Sequence, residues 1–321
     1  MPAMIGLIQL LGIGFGLYLV SLILYTAWGL THPKRQTYAS AVYRNLPGDP
    51  SELDIPIPFE ERIVQGAKGE LHLWVLEGKN PSGPRIVMTH GWGSSRLGGL
   101  KRLGPIVEHA SQIILWDLPG HGDSAGKVHL GATEHHDLAH ILGDLEDGTP
   151  TILFGWSMGA GISLALAKAQ GDEYSLAGII CESPYVDAQT PASNVIRLRG
   201  VPYRLNLNPA IMLLGVFFGL GPSWRGFARD ELAKSIKLPI LIIHGDADPV
   251  CPIEDAQRIA SAAPDAKLVV IHEGGHNNLW TDEMYAQQMN DAIESFLLAP
   301  PCAPRGGVER SETEGCLEKR D

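Results

Sequence analysis

Gly155-Trp156-Ser157-Met158-Gly159 sets a serine between two glycines. A short apolar run, Thr151 to Phe154, precedes it, and an alanine- and leucine-rich stretch with helical spacing follows. Strand, sharp turn and helix is the arrangement that pushes a hydroxyl out of the backbone at the apex of a turn, the glycines letting the flanking chain close. The chemistry such a serine offers is attack on an acyl carbon. Unpaired N–H groups at the start of the helix point at the same place and favour negative charge developing there.

A serine hydroxyl needs a base to take its proton and an acid to orient that base. His276, in Glu273-Gly274-Gly275-His276-Asn277 after the last apolar run, is the expected general base. Asp248 in Gly245-Asp246-Ala247-Asp248 is the expected acid, with Pro249 biasing it to extended backbone and Asp246 as the alternative. An oxyanion would be held by two backbone N–H groups. Met158 supplies one, and Trp92 in His90-Gly91-Trp92-Gly93-Ser94-Ser95 is the candidate for the second. His90 and His244 precede glycine in strand-exit turns and read as structural. His136 and His140, with Glu134 nearby, make half a metal site without a third ligand, so a solvated helix face is expected there. The chemistry requires no metal and no cofactor.

The elements that must hold these groups alternate along the chain. A hairpin over Arg62–Val64 and Glu70–Leu76 is followed by apolar strands at Arg85–Thr89, Gln112–Trp116, Thr151–Phe154, Leu176–Cys181, Leu238–Ile243 and Lys267–Ile271. Helical stretches are expected at Arg96–His109, Gly131–Leu145, after Ser157, at Ile253–Ala263 and at Thr281–Leu298. Continuously apolar strands alternating with amphipathic helices predict a mostly parallel sheet covered on both faces, with ligands at the carboxyl ends of the strands. Residues 184–237 break the alternation with five prolines and read as a cap over those ends. Its apolar run Ile211–Leu220 has three readings: it lines an acyl pocket, dips into a membrane surface, or packs the cap on the core. Arginines crowd the same interval, Arg197, Arg199, Arg204, Arg225 and Arg229, and read as solvated in preference to meeting phosphate headgroups.

Among 321 residues, Met1 to Thr31 carries no charged side chain, and Met4 to Leu30 is almost wholly apolar and long enough to cross a bilayer. Residues 1–35 are therefore expected to span a membrane, with a cleaved signal peptide as the runner-up. Lys34, Arg35 and Arg44 follow the span and favour a cytoplasmic catalytic domain. Residues 36–54 read as a linker, 55–298 as the catalytic domain, and 299–321, rich in Pro, Gly, Glu and Arg, as a disordered tail. A formal net charge of −11 argues against a nucleic-acid surface. Four scattered cysteines support neither a disulfide framework nor a zinc knuckle. Nothing in the sequence specifies an oligomeric state.

Taken in order, His90-Gly91-Trp92, Asp117-Leu-Pro-Gly-His-Gly-Asp-Ser124, Gly155-Trp-Ser-Met-Gly159, His244-Gly-Asp-Ala-Asp248 and Gly275-His276 resemble a serine hydrolase of the α/β-hydrolase superfamily, in particular its membrane-anchored, abhydrolase-domain-like members. The resemblance covers roughly residues 55–298. It implies an eight-stranded, mostly parallel sheet, a nucleophile elbow at Ser157 and a cap after the sixth strand. A serine in place of aspartate at the elbow speaks against epoxide or halide chemistry. The expected function is hydrolysis of small-molecule carboxylic esters or thioesters, lipid-derived if the N-terminal helix is an anchor. Acyl transfer, peptidase activity and a catalytically silent binding protein are the alternatives.

Overall fold

The computed structural model describes residues 2–198 and 203–298. The expected tail at 299–321, with Cys302 and Cys316, lies outside the described residues, as does Arg199. The core is an eight-stranded sheet in the order β1-β2-β4-β3-β5-β6-β7-β8. Its strands are β1 (Phe59–Gly66), β2 (Gly69–Glu77), β3 (Arg85–Thr89), β4 (Gln112–Trp116), β5 (Thr151–Trp156), β6 (Leu176–Glu182), β7 (Ile240–Gly245) and β8 (Ala266–Ile271). Strands β1 and β2 form the expected hairpin and β2 runs antiparallel to β4; all later pairings are parallel. Strand β7 starts two residues later than the apolar run because Pro239 has no N–H to give the ladder, and only its carbonyl is used, accepting from the Ile179 N–H at 3.0 Å.

Both faces are covered, as continuously apolar strands require. Val87, Ile114, Leu153, Ile179 and Ile242 face one core with helices α4 (His135–Asp144), α5 (Met158–Gln170) and α9 (Ile253–Ala262). Their strand neighbours Ile86, Met88, Ile113, Leu115, Phe154 and Ile243 face the other, with α3 (Gly104–Val107) and α10 (Glu283–Leu297). The two-residue period of a strand divides one apolar sequence between two cores. Where a long helix is expected at 96–109, the chain makes a 3-10 segment, Arg96–Arg102, and then the short α3. Gly98, Gly99 and Gly104 weaken an α-helix, and Pro105 is tolerated only in the first turn of a new one.

The cap carries α6 (Gln189–Leu198), α7 (Leu207–Phe217) and α8 (Arg229–Ala233). Of the three readings of its apolar run, packing holds for one face of α7, but against a partner the sequence does not suggest. Leu207, Ala210, Ile211 and Leu214 pack on Ala27 and Leu30 at the end of helix α1 (Pro2–Thr31). The Asn206 amide donates to the Thr26 hydroxyl at 2.6 Å across this seam. The remainder of α1 stands free of the domain and is long and apolar enough to cross a bilayer. The stretch read as a linker, 36–54, is instead folded onto the domain, with helix α2 (Tyr38–Val42) and a 3-10 turn at Pro50–Glu52. Arg229, read as solvated, is buried and donates to the Gly131 carbonyl at 2.6 Å.

Backbone packs closely on backbone where α5 leaves β5. A Cβ on Gly159 would overlap the Thr89 carbonyl, and one on Gly155 would overlap the backbone of Gly159, so neither neighbour can yield without moving a strand. Gly159→Ala is expected to destabilise the protein by about 3 kcal/mol or more, as overpacking against backbone does, or to abolish the soluble fold; denaturant unfolding of variant and parent measures it.

Candidate active site

Ser157 occupies the turn between β5 and α5 with φ 53° and ψ −115°, a strained conformation for a residue with a side chain. The turn is held because the Ser157 N–H donates to the Glu182 carbonyl at 2.8 Å on the neighbouring β6, while Gly91 sits so close that its Cβ would lie 3.1 Å from that of Ser157. The hydroxyl is half-exposed on a cavity of about 690 Å³ that His276, Trp92 and Met158 also line. Elbow, oxyanion-loop candidate and histidine loop therefore meet at one sheet edge.

Asp248, the expected acid, and Asp246, its alternative, differ in their partners. The Asp248 carboxylate is fully buried; one oxygen accepts from the Val250 and Cys251 N–H groups, both at 2.8 Å, and the other lies 2.6 Å from His276 Nδ1. Asp246 lies at the surface, 2.8 Å from His272 Nδ1, and accepts from the Glu273 N–H, which holds its carboxyl below the usual range. An aspartate fixed by two amides and bonded to Nδ1 leaves Nε2 of His276 as the nitrogen free to exchange a proton. No hydrogen bond joins Ser157 to His276 among the described residues; the serine hydroxyl lies beside the thiol of Cys251, which burial keeps protonated, its pKa raised well above the ordinary value.

Cys251 was not expected at the site from sequence. Its only sequence signal is its position three residues after Asp248. Asp248, Cys251 and His276 place their donor atoms within 4.8 Å of one another, a group whose carboxylate and imidazole are already engaged with each other. His136 and His140 are exposed, whereas Glu134 is buried and turns inward to accept from the His129 and Thr133 N–H groups, so this trio does not converge.

Two buried histidines shape the oxyanion-loop candidate. His90 Nε2 accepts from the Leu118 N–H at 3.0 Å and its Nδ1 donates to the Gly91 carbonyl at 2.7 Å; His121 Nε2 accepts from the Gly93 N–H at 3.1 Å. Each needs one unprotonated nitrogen to make these bonds. Burial lowers the His90 pKa far below the ordinary value, and for His121 brings it to about 4. Beneath Ser157 lies a buried ion pair, Arg102 with Glu182, stacked on Trp156 with the guanidinium 4.0 Å from the ring. Trp280, four residues after His276, donates its indole N–H to the same carboxylate at 2.8 Å. Burial alone would raise the Glu182 pKa, but the Arg102 charge and these hydrogen bonds outweigh it and hold the carboxyl below its usual range. One ion pair thus ties the elbow strand to the histidine loop.

The chain matches the model of the alpha/beta hydrolase family over residues 86–292. It belongs to that family. Protein ABHD12B from Homo sapiens is 26% identical over 227 residues, covering 67% of this chain and 61% of that protein. The lysophosphatidylserine lipase ABHD12 of Macaca fascicularis is 26% identical over 221 residues, 63% of this chain and 51% of the lipase. The chain thus matches little more than half the length of these two relatives. An esterase structure from Pyrococcus furiosus superposes with a TM-score of 0.63 at 17% identity, covering 84% of this chain and 97% of the esterase, a likeness of fold.

Two outcomes follow from this α/β-hydrolase site. Arg102→Met leaves Glu182 buried and unpaired and is expected to cost about 3–5 kcal/mol, measured by urea unfolding, with much of the loss restored by adding Glu182→Gln. Histidines held neutral in the fold but protonated with a pKa of about 6.5 when unfolded give stability that is present above pH ~6.5 and lost as pH falls toward ~4. The melting temperature is therefore expected to fall between pH 7 and pH 5, and His121→Gln, which keeps an acceptor for Gly93 and cannot titrate, to fall less steeply.

Proposed function

We propose that the protein is a serine hydrolase of carboxylic esters or thioesters acting through Ser157, His276 and Asp248. The observation that carries this reading is that His276, bonded through Nδ1 to a buried aspartate, borders the same cavity as a serine held on a strained elbow. Rotation of the Ser157 hydroxyl away from the Cys251 thiol aims its proton at His276 Nε2. The oxygen then attacks the acyl carbon, the Met158 and Trp92 N–H groups receive the oxyanion, and Asp248 stabilises the imidazolium. His276 returns the proton to the leaving alcohol or thiol, and a water activated by the same imidazole releases the acid from the acyl-enzyme. The esterase and lipase relatives support ester chemistry on this fold.

In this reading α1 anchors the enzyme. Its exposed stretch, residues 4–25, reaches about 33 Å at ~1.5 Å per residue, matching a hydrocarbon core of ~30 Å. Lys34, Arg35 and Arg44 beyond it favour a cytoplasmic catalytic domain. The substrates are small-molecule acyl esters or thioesters, lipid-derived because a tethered site samples the bilayer surface.

A fluorophosphonate probe and a short nitrophenyl ester test the mechanism on the full chain in detergent. Wild type is expected to label at Ser157 and turn over. Ser157→Ala and His276→Ala are expected to lose about 10⁶-fold in kcat and Asp248→Asn about 10⁴-fold. Labelling that survives Ser157→Ala, or turnover unchanged by His276→Ala, overturns it.

A further inference from the structure

The end of α1 and the segment after it are built into the active-site wall. The Trp92 indole donates to the Leu30 carbonyl at 2.8 Å, and the Gln36 amide donates to the Gly93 carbonyl at 2.7 Å, so both residues flanking the tip of the oxyanion-loop candidate are held by the N-terminal segment. Arg35 donates to the Gly122 and Ser124 carbonyls at 2.9 and 3.0 Å, fastening the same segment to a second loop. Leu30, Ala41, Leu46 and Leu53 line the cavity itself. If residues 4–25 span the bilayer, Leu30 lies about 7 Å past its edge at ~1.5 Å per residue, within the headgroup layer. Next to it, α7 turns Met212, Val216 and Phe217 outward, continuing the apolar surface of α1.

The cavity has a chemistry of its own. One side is apolar, lined by Pro191, Ala192, Val195 and Leu198 of α6. The lining also includes Leu97, Leu100, Lys101 and, from the N-terminal segment, Arg44. Arg102 and Glu182 also line it but neutralise each other, which leaves Lys101 and Arg44 as uncompensated charges in a chain whose net charge is −11. Lys101 is exposed and makes no hydrogen bond or ion pair among the described residues; desolvation and then the Arg102 charge lower its pKa to about 8. Arg44, exposed, donates from Nε to the Ser40 carbonyl at 2.9 Å and from Nη2 to Gln36 Oε1 and Ser40 Oγ, both at 3.4 Å. A volume of about 690 Å³ suits one drug-sized molecule, hence one hydrocarbon chain with its head.

We propose that the site takes a single-chain acyl ester with an anionic head from the leaflet where α1 ends, Lys101 and Arg44 meeting the head and the α6 wall the chain. This rests on the hydrolase reading above. The head is named by charge, carboxylate or phosphate, since both satisfy an ammonium and a guanidinium.

The test uses the full chain in nanodiscs and four monoacyl glycerol esters, palmitoyl or butanoyl, each with or without a phosphate on the glycerol. The palmitoyl phosphate ester is expected to exceed its neutral counterpart by about 10-fold in kcat/KM, the size of one charge-assisted bond. Lys101→Met with Arg44→Met is expected to bring that ratio close to one while fluorophosphonate labelling of Ser157 shows the site still folded; Lys267→Met, a surface charge far from the cavity, is expected to leave the ratio alone. Equal rates on charged and neutral heads, or a ratio that persists in the double variant, overturn the proposal. Equal rates on palmitoyl and butanoyl phosphate esters overturn its lipid part in favour of a soluble anionic ester. Failure on all four esters and on the short nitrophenyl ester counts against the hydrolase reading itself, whereas turnover without head preference counts against this inference alone.

Discussion

The site depends on one steric constraint: Ser157 keeps a positive φ only because the chain on either side of it can be packed backbone to backbone. Gly159 rests on the Thr89 carbonyl at the end of β3, Gly155 rests on Gly159, and Gly91 rests on the serine. Three neighbouring segments are thereby fixed relative to one hydroxyl without any long side chain taking part. The strain of the elbow is offset by the sheet, whose parallel strands are buried on both faces and cannot shift singly.

Around that point the polar groups are arranged by a second rule, that a buried charge must be matched and a buried imidazole must stay neutral. Arg102 and Glu182 match each other beneath the cavity, and by accepting from Trp280 the same carboxylate reaches the loop that carries His276. His90 and His121 instead spend one ring nitrogen each on backbone groups of the Gly91–Gly93 loop and the other on the backbone of Leu118 and Pro119. The loop is thus shaped by neutral hydrogen bonds close to where negative charge would form, and a protonated ring there would break the bond that positions a backbone amide. Rigidity at neutral pH and fragility in acid have the same origin.

Most of the fold was legible because the apolar runs are continuous and the helices after them amphipathic; β3, β4, β5 and β6 fall on the expected residues to within two positions. The convergence of Ser157 and His276 on one cavity was legible too, since both sit in glycine-flanked turns at strand ends. What could not be read was anything set by side-chain direction across a loop. Pro249 favours Asp248 over Asp246 as the acid, but which ring each carboxylate meets, His276 or His272, is set by loop geometry that composition does not carry. The Arg102–Glu182 pair is invisible because its members are 80 residues apart and neither lies in a motif. The segment 36–54 reads as a linker because prolines erase periodicity; it is held by the Gln36 amide on the Gly93 carbonyl and by scattered apolar contacts such as Leu53, which make no periodic pattern.

That segment changes what an N-terminal apolar helix means here. A helix that only tethers a domain needs a flexible connection and no contact with the site. In this chain one face of the last turns of α1 is buried, Thr26 and Leu30 bond across to the cap and to Trp92, and residues that follow line the cavity. Removing α1 would expose the apolar face of α7 and release the carbonyl that holds the Trp92 ring. The helix is therefore part of the domain's core at one end and free of it at the other, so its direction, and with it the side on which the cavity opens, is set by packing rather than by a linker's length. Whatever medium surrounds the free end of α1 also reaches the rim of the cavity, which makes access to Ser157 a question of what lies beside the helix as much as of what lies in solution.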